Sequence, residues 1–386
     1  MTRSRRYARL LARGFAASAL VAGTLAGLGS AASSSAASAA PCGNWTGEQP
    51  PDPGSFENYL LGVTVLSPCD AWAVGGTVSG SVTHTLVEHW DGAAWSVADS
   101  PNPGAGTSDE LLAVRGVSAR DIWAVGTYLS NGTYLTLTLH WDGIAWSQVN
   151  SPSPSTTGNT LAAVRPVSAN DAWAVGSYVQ GNVSKDLILH WNGTAWTRAR
   201  IPSPGPGSQL QGVAATSARN AWAVGSSDPG KTLILHWNGS RWTRVPSPDP
   251  DSDDYLDAVG NASSSSAWAV GVGYEGGTDR TLILRWNGST WTRVTSPDPG
   301  GPHANNGLNG VVTVSPSTAW AVGDTADGAS TLLLHWDGNR WAQVTSPSPG
   351  AGADTLFAVA AWSATDLWAV GDDGIAPTQA LAVHCC

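Results

Sequence analysis

Apolar residues in this chain fall in short runs, and the runs recur. One stretch reads Leu111–Ser118, then Ile122-Trp123-Ala124-Val125-Gly126, a variable segment, Leu135–Trp141, the pair Asp142-Gly143, and Trp146–Val149 ahead of Ser151-Pro152-Ser153-Pro154. Each run is strand-sized, rich in Val, Leu, Ile, Thr or Trp, and bounded by turn residues, so the pattern predicts four short strands. Strand alternation puts Trp123 and Val125 on one face and Ala124 and Gly126 on the other. Trp-Ala-Val-Gly occurs seven times, from Trp72, Trp123, Trp173, Trp222, Trp268, Trp320 and Trp368, at spacings of 51, 50, 49, 46, 52 and 48 residues. Four strands in such a period is the size of a propeller blade. The expected fold class is all-β: a seven-bladed propeller of four-stranded antiparallel blades. Stacked blades would set the bulky Trp/Val face of one against the small Ala/Gly face of the next.

The ends of the chain predict how the ring closes. The last repeat stops at Leu381–Cys386, part-way through a blade, without its turn and final Trp strand. Cys42-Gly43-Asn44-Trp45, followed by Pro51-Asp52-Pro53-Gly54, looks like the missing piece. Laid on the template His89–Trp95, His384, Cys385 and Cys386 take the first three places and residues 42–45 the next four. The last blade is thus expected to take its outer strand from the N-terminal end, and 41–386 to form one domain.

Residues 1–40 read differently. Arg3, Arg5, Arg6, Arg9 and Arg13 precede an apolar Ala-rich stretch from Phe15 to about Leu28, and Ala37-Ser38-Ala39-Ala40 offers small-residue cleavage sites. This is the pattern of a secretory signal peptide cleaved near Ala39 or Ala40, with Arg5-Arg6 as a hint of twin-arginine export. No second run is long and apolar enough for a membrane-spanning helix. Without the leader, 14 basic residues face 29 acidic ones, a formal charge of −15. So acidic a chain repels phosphate backbones, which argues against nucleic acid as a partner. A secreted or cell-surface monomer is expected.

Twenty of the 21 Trp residues occupy three repeat positions, with Trp362 alone outside them. Large rings at fixed places read as scaffold core. His89, His140, His190, His236, His335 and His384 share one repeat position, with Arg285 in the seventh, and so are spread around the ring rather than gathered on a metal. The Asp-Gly and Asn-Gly steps at Asp91, Asp142, Asn192, Asn238, Asn287 and Asp337 read as tight turns.

Candidate chemistry lies where the repeats differ. Tyr59, Tyr128, Tyr134, Tyr178, Tyr255 and Tyr274 fall in or beside the second-to-third-strand loops and the inter-blade segments, which open on one face. Tyr binds well at low entropic cost, so these six mark the expected ligand-binding face. The loop holding Asp249, Asp251, Asp253 and Asp254 offers oxygen ligands for calcium; a solvated acidic loop is the alternative. No other cofactor is expected. The cysteines fit an oxidising compartment. A disulfide from Cys42 to Cys385 or Cys386 would lock the ring, and Cys69, in the first turn of blade one, would partner the cysteine left over.

Ala73-Val74-Gly75-Gly76, then Leu86–Asp91, then Trp95 resembles the kelch-type repeat of secreted galactose-oxidase-like propellers, over about residues 41–386. Only the first unit has the double Gly, and Trp replaces the usual Tyr. The Asp-Gly-x-x-Trp portion also resembles a degenerate Asp-box. The resemblance implies a propeller; the chemistry of either family is not matched, since copper chemistry needs Tyr, His and a cross-linked Cys, and a sialidase needs an Arg cluster. The expected function is a secreted, non-catalytic module that binds an extracellular protein or glycan through its loop face. The alternatives are a polysaccharide hydrolase or lyase with loop carboxylates, and a structural wall or surface protein.

Overall fold

The computed structural model describes residues 45–386 except 105, 203–204, 206, 302, 326–328, 351–352, 375–376 and 386. The expected leader, Cys42 and Cys386 lie outside the described residues. Twenty-eight strands form seven sheets of four, with no helix among the described residues. Blade two is typical: Asp109–Ser118, Asp121–Ser130, Thr133–Trp141 and Trp146–Gln148, each antiparallel to the next. First strands touch their counterparts in neighbouring blades all the way round, including blade one against blade seven, so they form the innermost layer.

Blade seven is composite. Thr355–Ser363, Asp366–Asp372 and Ala380–Cys385 are joined by Trp45–Glu48 as the outer strand. Trp45 stands opposite Cys385 and Glu48 opposite Ala382. Just beyond, Asp52 Oδ1 accepts from the Ala380 amide at 2.8 Å. A strand more than 300 residues from its partner thus completes the four-stranded sheet and joins the two ends of the chain in one blade.

The core lies between blades. Trp72 and Val74 of blade one pack on Ala124, Leu137 and Leu139 of blade two. The Trp72 ring lies 4.8 Å from Trp141 and 5.6 Å, edge-on, from Trp146. The same contact recurs at the seam, where Trp368 lies 4.9 Å from Trp90 and 5.0 Å from Trp95. Burying about 150–250 Å² per ring contributes on the order of 5 kcal/mol at each junction, as an upper bound.

The Ala of Trp-Ala-Val-Gly answers to this packing, but the Gly answers to something else. Each first strand carries a bulge after its Leu, between Leu111 and Ala113 in blade two. The bulge drives a carbonyl toward the second strand, and a Cβ on Gly126 would run into the Glu110 carbonyl oxygen. All seven repeat glycines face a first-strand carbonyl in this way.

Turns and exits are held by side chains. Asp142 Oδ1 accepts from the Ile144 and Ala145 amides at 2.8 and 3.0 Å, while Gly143 takes φ +95°. Only the Gly of the pair needs a positive φ; the Asp or Asn serves as the cap. In the Ser-Pro-x-Pro exits, Ser151 and Ser153 close on the Thr136 hydroxyl at 2.8 and 3.0 Å, and Ser153 Oγ also accepts the Thr136 amide. Ser100, Ser247, Ser296 and Ser346 grip Thr85, Thr232, Thr281 and Thr331 likewise.

Candidate binding surfaces

The propeller has two faces. On the loop face, inter-blade segments are fastened to the second-to-third-strand hairpin of the preceding blade. Single parallel bridges join Glu57 to Thr378, Thr83 to Ser108 and Tyr134 to Gly158. Beneath them runs a ring of buried Asn and Asp, two residues before the Leu of the first strand. Asn58, Asp109, Asn159 and Asp354 accept from the amides of Gly54, Gly104, Ser155 and Gly350. These caps were visible in sequence only as an unremarked Asn or Asp at one repeat position. Burial raises the carboxyls of Asp109 and Asp354, and Asp373 and Asp372 push Asp354 further the same way.

The six tyrosines do not form one surface. Tyr59 is 3% exposed. It packs with Leu61, Leu112 and Phe357 from three neighbouring blades, and its hydroxyl donates to Glu110 Oε1 at 2.7 Å. The second glycine of blade one makes room for it, since a Cβ on Gly76 would meet the Tyr59 hydroxyl. Tyr59 is therefore a plug at the inner strands, not a loop contact. Tyr128 is half-buried against the blade-two core. Arg198 covers Tyr178 at 4.6 Å and donates to its hydroxyl at 2.6 Å. Tyr255 and Tyr274 are half-buried. Tyr134 stands 40% exposed on its hairpin.

The four aspartates of the proposed calcium loop point to different partners. Asp249 Oδ1 takes the Ser-Pro-x-Pro role, accepting the Thr232 amide at 2.7 Å and its hydroxyl at 2.9 Å. Asp251 lies 3.3 Å from Arg293 and gives its amide to Asp254 Oδ2. Asp254 is fully buried, and desolvation pushes its carboxyl up to about 6. Asp253 sits against Gly230. Among the described residues no three of His, Cys, Asp or Glu are placed to hold a metal ion.

On the opposite, turn face, the repeat histidines brace the Trp rings. His140 stacks 4.5 Å from Trp123, and its Nε2 lies 2.9 Å from Asp121 Oδ1. His89, His190 and His384 repeat this with Asp70, Asp171 and Asp366, and His236 uses Asn220. Arg285 replaces the imidazole by spreading its guanidinium over Trp268 and Trp336, 5.2 Å from each. A cleft of about 360 Å³ between blades one and two is walled by Cys69, Asp70, Trp72, His89, Asp91, Ala119 and Trp141. Cys69 is a free, exposed thiol, so the pairing expected for it is absent. Its sulfur rests against Gly92 of its own blade. Cys385 is disulfide-bonded.

Two further features belong to this face, and the sequence pattern assigns neither a role. Arg115 and Arg165 occupy one repeat position in blades two and three, near the turn-face end of the innermost strands. Trp362, the one Trp outside the repeat positions, stands 55% exposed at the same end of blade seven.

No protein-family model and no curated protein matches the chain. Among solved structures it is similar to "YCF48 bound to D1 peptide", with a TM-score of 0.58 at 15% identity over 88% of this chain and 96% of that one. It is also similar to YCF48 from Cyanidioschyzon merolae, with a TM-score of 0.56 at 16% identity over 88% and 98%. A third is the GH74 xyloglucanase from Xanthomonas campestris, with 0.53 at 14% identity, over 85% of this chain and 53% of that one. At such identities the likeness carries the fold alone. What this chain shares with them is the β-propeller, and the kelch-type resemblance rests on its sequence motifs.

Proposed function

We propose that this chain is an exported, non-catalytic binding module that holds an extracellular protein or glycan on its loop face. The observation that carries this reading is how the loop face is built. Its segments are those in which the repeats differ most, yet they are pinned by bridges and buried caps to the blades beneath. A surface ordered in advance loses little entropy on binding. Phe56 at 46% and Tyr134 at 40% stand exposed on it, as aromatic anchors of a contact surface do. The likeness to YCF48 bound to D1 peptide supports a protein partner as readily as a glycan. A hydrolase would need carboxylates facing one another across the opening, whereas Asp109 and Asp354 cap loops and Asp249 caps a strand.

The test is direct binding of the purified mature chain to peptide and glycan arrays, with hits measured by titration. Phe56→Ser and Tyr134→Ser together should weaken a specific hit at least tenfold while leaving the melting temperature within a few degrees. Specific hits indifferent to both substitutions, or none on either array, would overturn the loop-face reading.

A further inference from the structure

The turn-face end of the innermost strands carries two arginines, away from the loop face. At the repeat position four residues after the first-strand Leu, blades one and four to seven have Thr64, Ala214, Gly260, Val312 and Ala360. Blades two and three have Arg115 and Arg165. Successive blades set these two arginines at the same level of touching innermost strands. Both side chains are only half-buried by surface, yet the Arg115 guanidinium is well desolvated. Desolvation first, then the nearby Arg165 charge, push it down to about 9. Arg165 Nε donates to the Ala215 carbonyl at 3.3 Å. Among the described residues neither arginine has an ion pair. A guanidinium has five N–H donors, so most of this pair's donors have no protein acceptor.

Nothing at this level supplies the missing charge. From the arginine position to the end of each first strand, no blade carries Asp or Glu. What the far side offers instead is more hydrogen-bonding capacity. Asn261 Nδ2 and Thr313 Oγ1, in blades five and six and one residue further along, are buried and without partners. Two like charges, uncompensated by any acidic neighbour at this level, cost stability unless something negative sits between them. Above them the rim is apolar. Trp362 at 55% and Val117 at 41% are exposed, and Leu66 of the intervening blade one is half-buried between them.

We propose that this end of the innermost strands binds an oxyanion carried on an apolar body, with Arg115 and Arg165 holding the anionic group and Trp362 covering the body. Guanidinium forks match the paired oxygens of a carboxylate, phosphate or sulfate. Blades four, five and seven carry only the small residues Ala214, Gly260 and Ala360 at the equivalent position.

Calorimetric titration of the mature chain at low ionic strength, with phenylacetate, inorganic phosphate and chloride in turn, tests this. Phenylacetate is expected to bind. Arg115→Gln should weaken it at least tenfold, and Arg115→Gln with Arg165→Gln should abolish it. Trp362→Ala should weaken phenylacetate severalfold and leave inorganic phosphate unchanged. In anion-free buffer the double variant should melt at or above the parent temperature, because it removes an uncompensated pair. Tighter binding of inorganic phosphate than of phenylacetate would overturn the apolar part of the proposal. No oxyanion binding at millimolar concentration, binding unaltered in the double variant, or a double variant that melts many degrees lower would overturn the whole.

Discussion

Gly126 and its six counterparts show how a single atom can be excluded for a reason the strand pattern hides. Alternation assigns the repeat Gly to the small face beside Ala, as if both yielded to the next blade. The bulge in the first strand is the stronger constraint, because it presses a backbone carbonyl where the Cβ would be, and backbone cannot swing aside. Gly225→Ala is therefore expected to cost about 3 kcal/mol, at the upper end for one methyl group, since the new atom meets the Gln209 carbonyl. Gly132→Ala makes the contrast. Gly132 takes φ +78° at a hairpin tip with nothing within 4 Å, so only the left-handed backbone is penalised, at about 1 kcal/mol. Urea midpoints at constant slope separate the two. Equal losses would mean that the bulge relaxes and that the repeat Gly is kept for inter-blade packing after all. Gly76 belongs to the same logic: the double Gly that resembles a kelch signature serves Tyr59, which explains why blade one alone has it.

At the scale of the blade, the exit clamp shows what a consistent element looks like and where one is broken. Thr on the third strand and Ser-Pro-x-Pro after the fourth meet in five blades. Blade seven keeps half the device through Asp52 and the Ala380 amide. Blade three has Asp186 for Thr and Ile201 for Ser. Asp186 is buried, neither carboxyl oxygen has a hydrogen-bond partner, and burial pushes it up to about 7 despite the Ser208 hydroxyl nearby. Its folded value exceeds the unfolded 3.8, so the fold binds the extra proton, and stability falls as pH rises from about 4 to about 7. Asp186→Thr should thus stabilise by about 2 kcal/mol at pH 8 and much less at pH 4, read from denaturation midpoints at both. A gain that does not grow with pH would place the Asp186 charge in a solvated setting. Blades were legible in the sequence because their core positions repeat with period two inside a period near fifty. Caps such as Asp109 were present at a fixed place but were not read as structure, since an exposed Asp has the same letter. The pairing of Arg115 with Arg165 was illegible, because fifty residues separate them and only ring geometry brings neighbouring blades into register. Tyr59 was misplaced because its position in a variable segment says nothing about the glycine opposite that admits its ring.

For the whole molecule the critical junction is the seam between blades seven and one, where the chain must meet its own beginning. Four of the other six junctions repeat one recipe, with an aliphatic third-strand residue meeting a Leu of the following blade; blade two offers Thr138 in place of the aliphatic residue, and blade seven has Val383 in place of the Leu. At the seam blade seven offers Ala382, the place taken by Val87, Thr138, Ile188, Ile234, Ile283 and Leu333 elsewhere. Blade one offers Glu88, at the position of Leu139, Leu189, Leu235, Leu284 and Leu334. Glu88 is fully buried and neither carboxyl oxygen has a hydrogen-bond partner. Desolvation, with Asp52 of the closing segment adding repulsion, pushes it up to about 8. A protonated carboxyl is close to Leu in bulk and can fill the space that Ala382 leaves; an ionised one cannot stay there without a counter-charge. Because the folded value lies above the unfolded 4.5, the seam is firmest below about pH 4.5. It loses stability as pH rises toward 8 and then levels off. Glu88→Leu supplies the Leu that five other blades carry at this position and removes the buried carboxyl, so its stabilisation should be about 2–4 kcal/mol greater at pH 9 than at pH 4. Hydrogen exchange should locate the change in Ala380–Cys385 and Trp45–Glu48, the strands that close the ring, while blades three to five keep their protection. A parent and variant with the same pH slope, or a loss of protection spread evenly round the ring, would show that closure does not depend on this carboxyl.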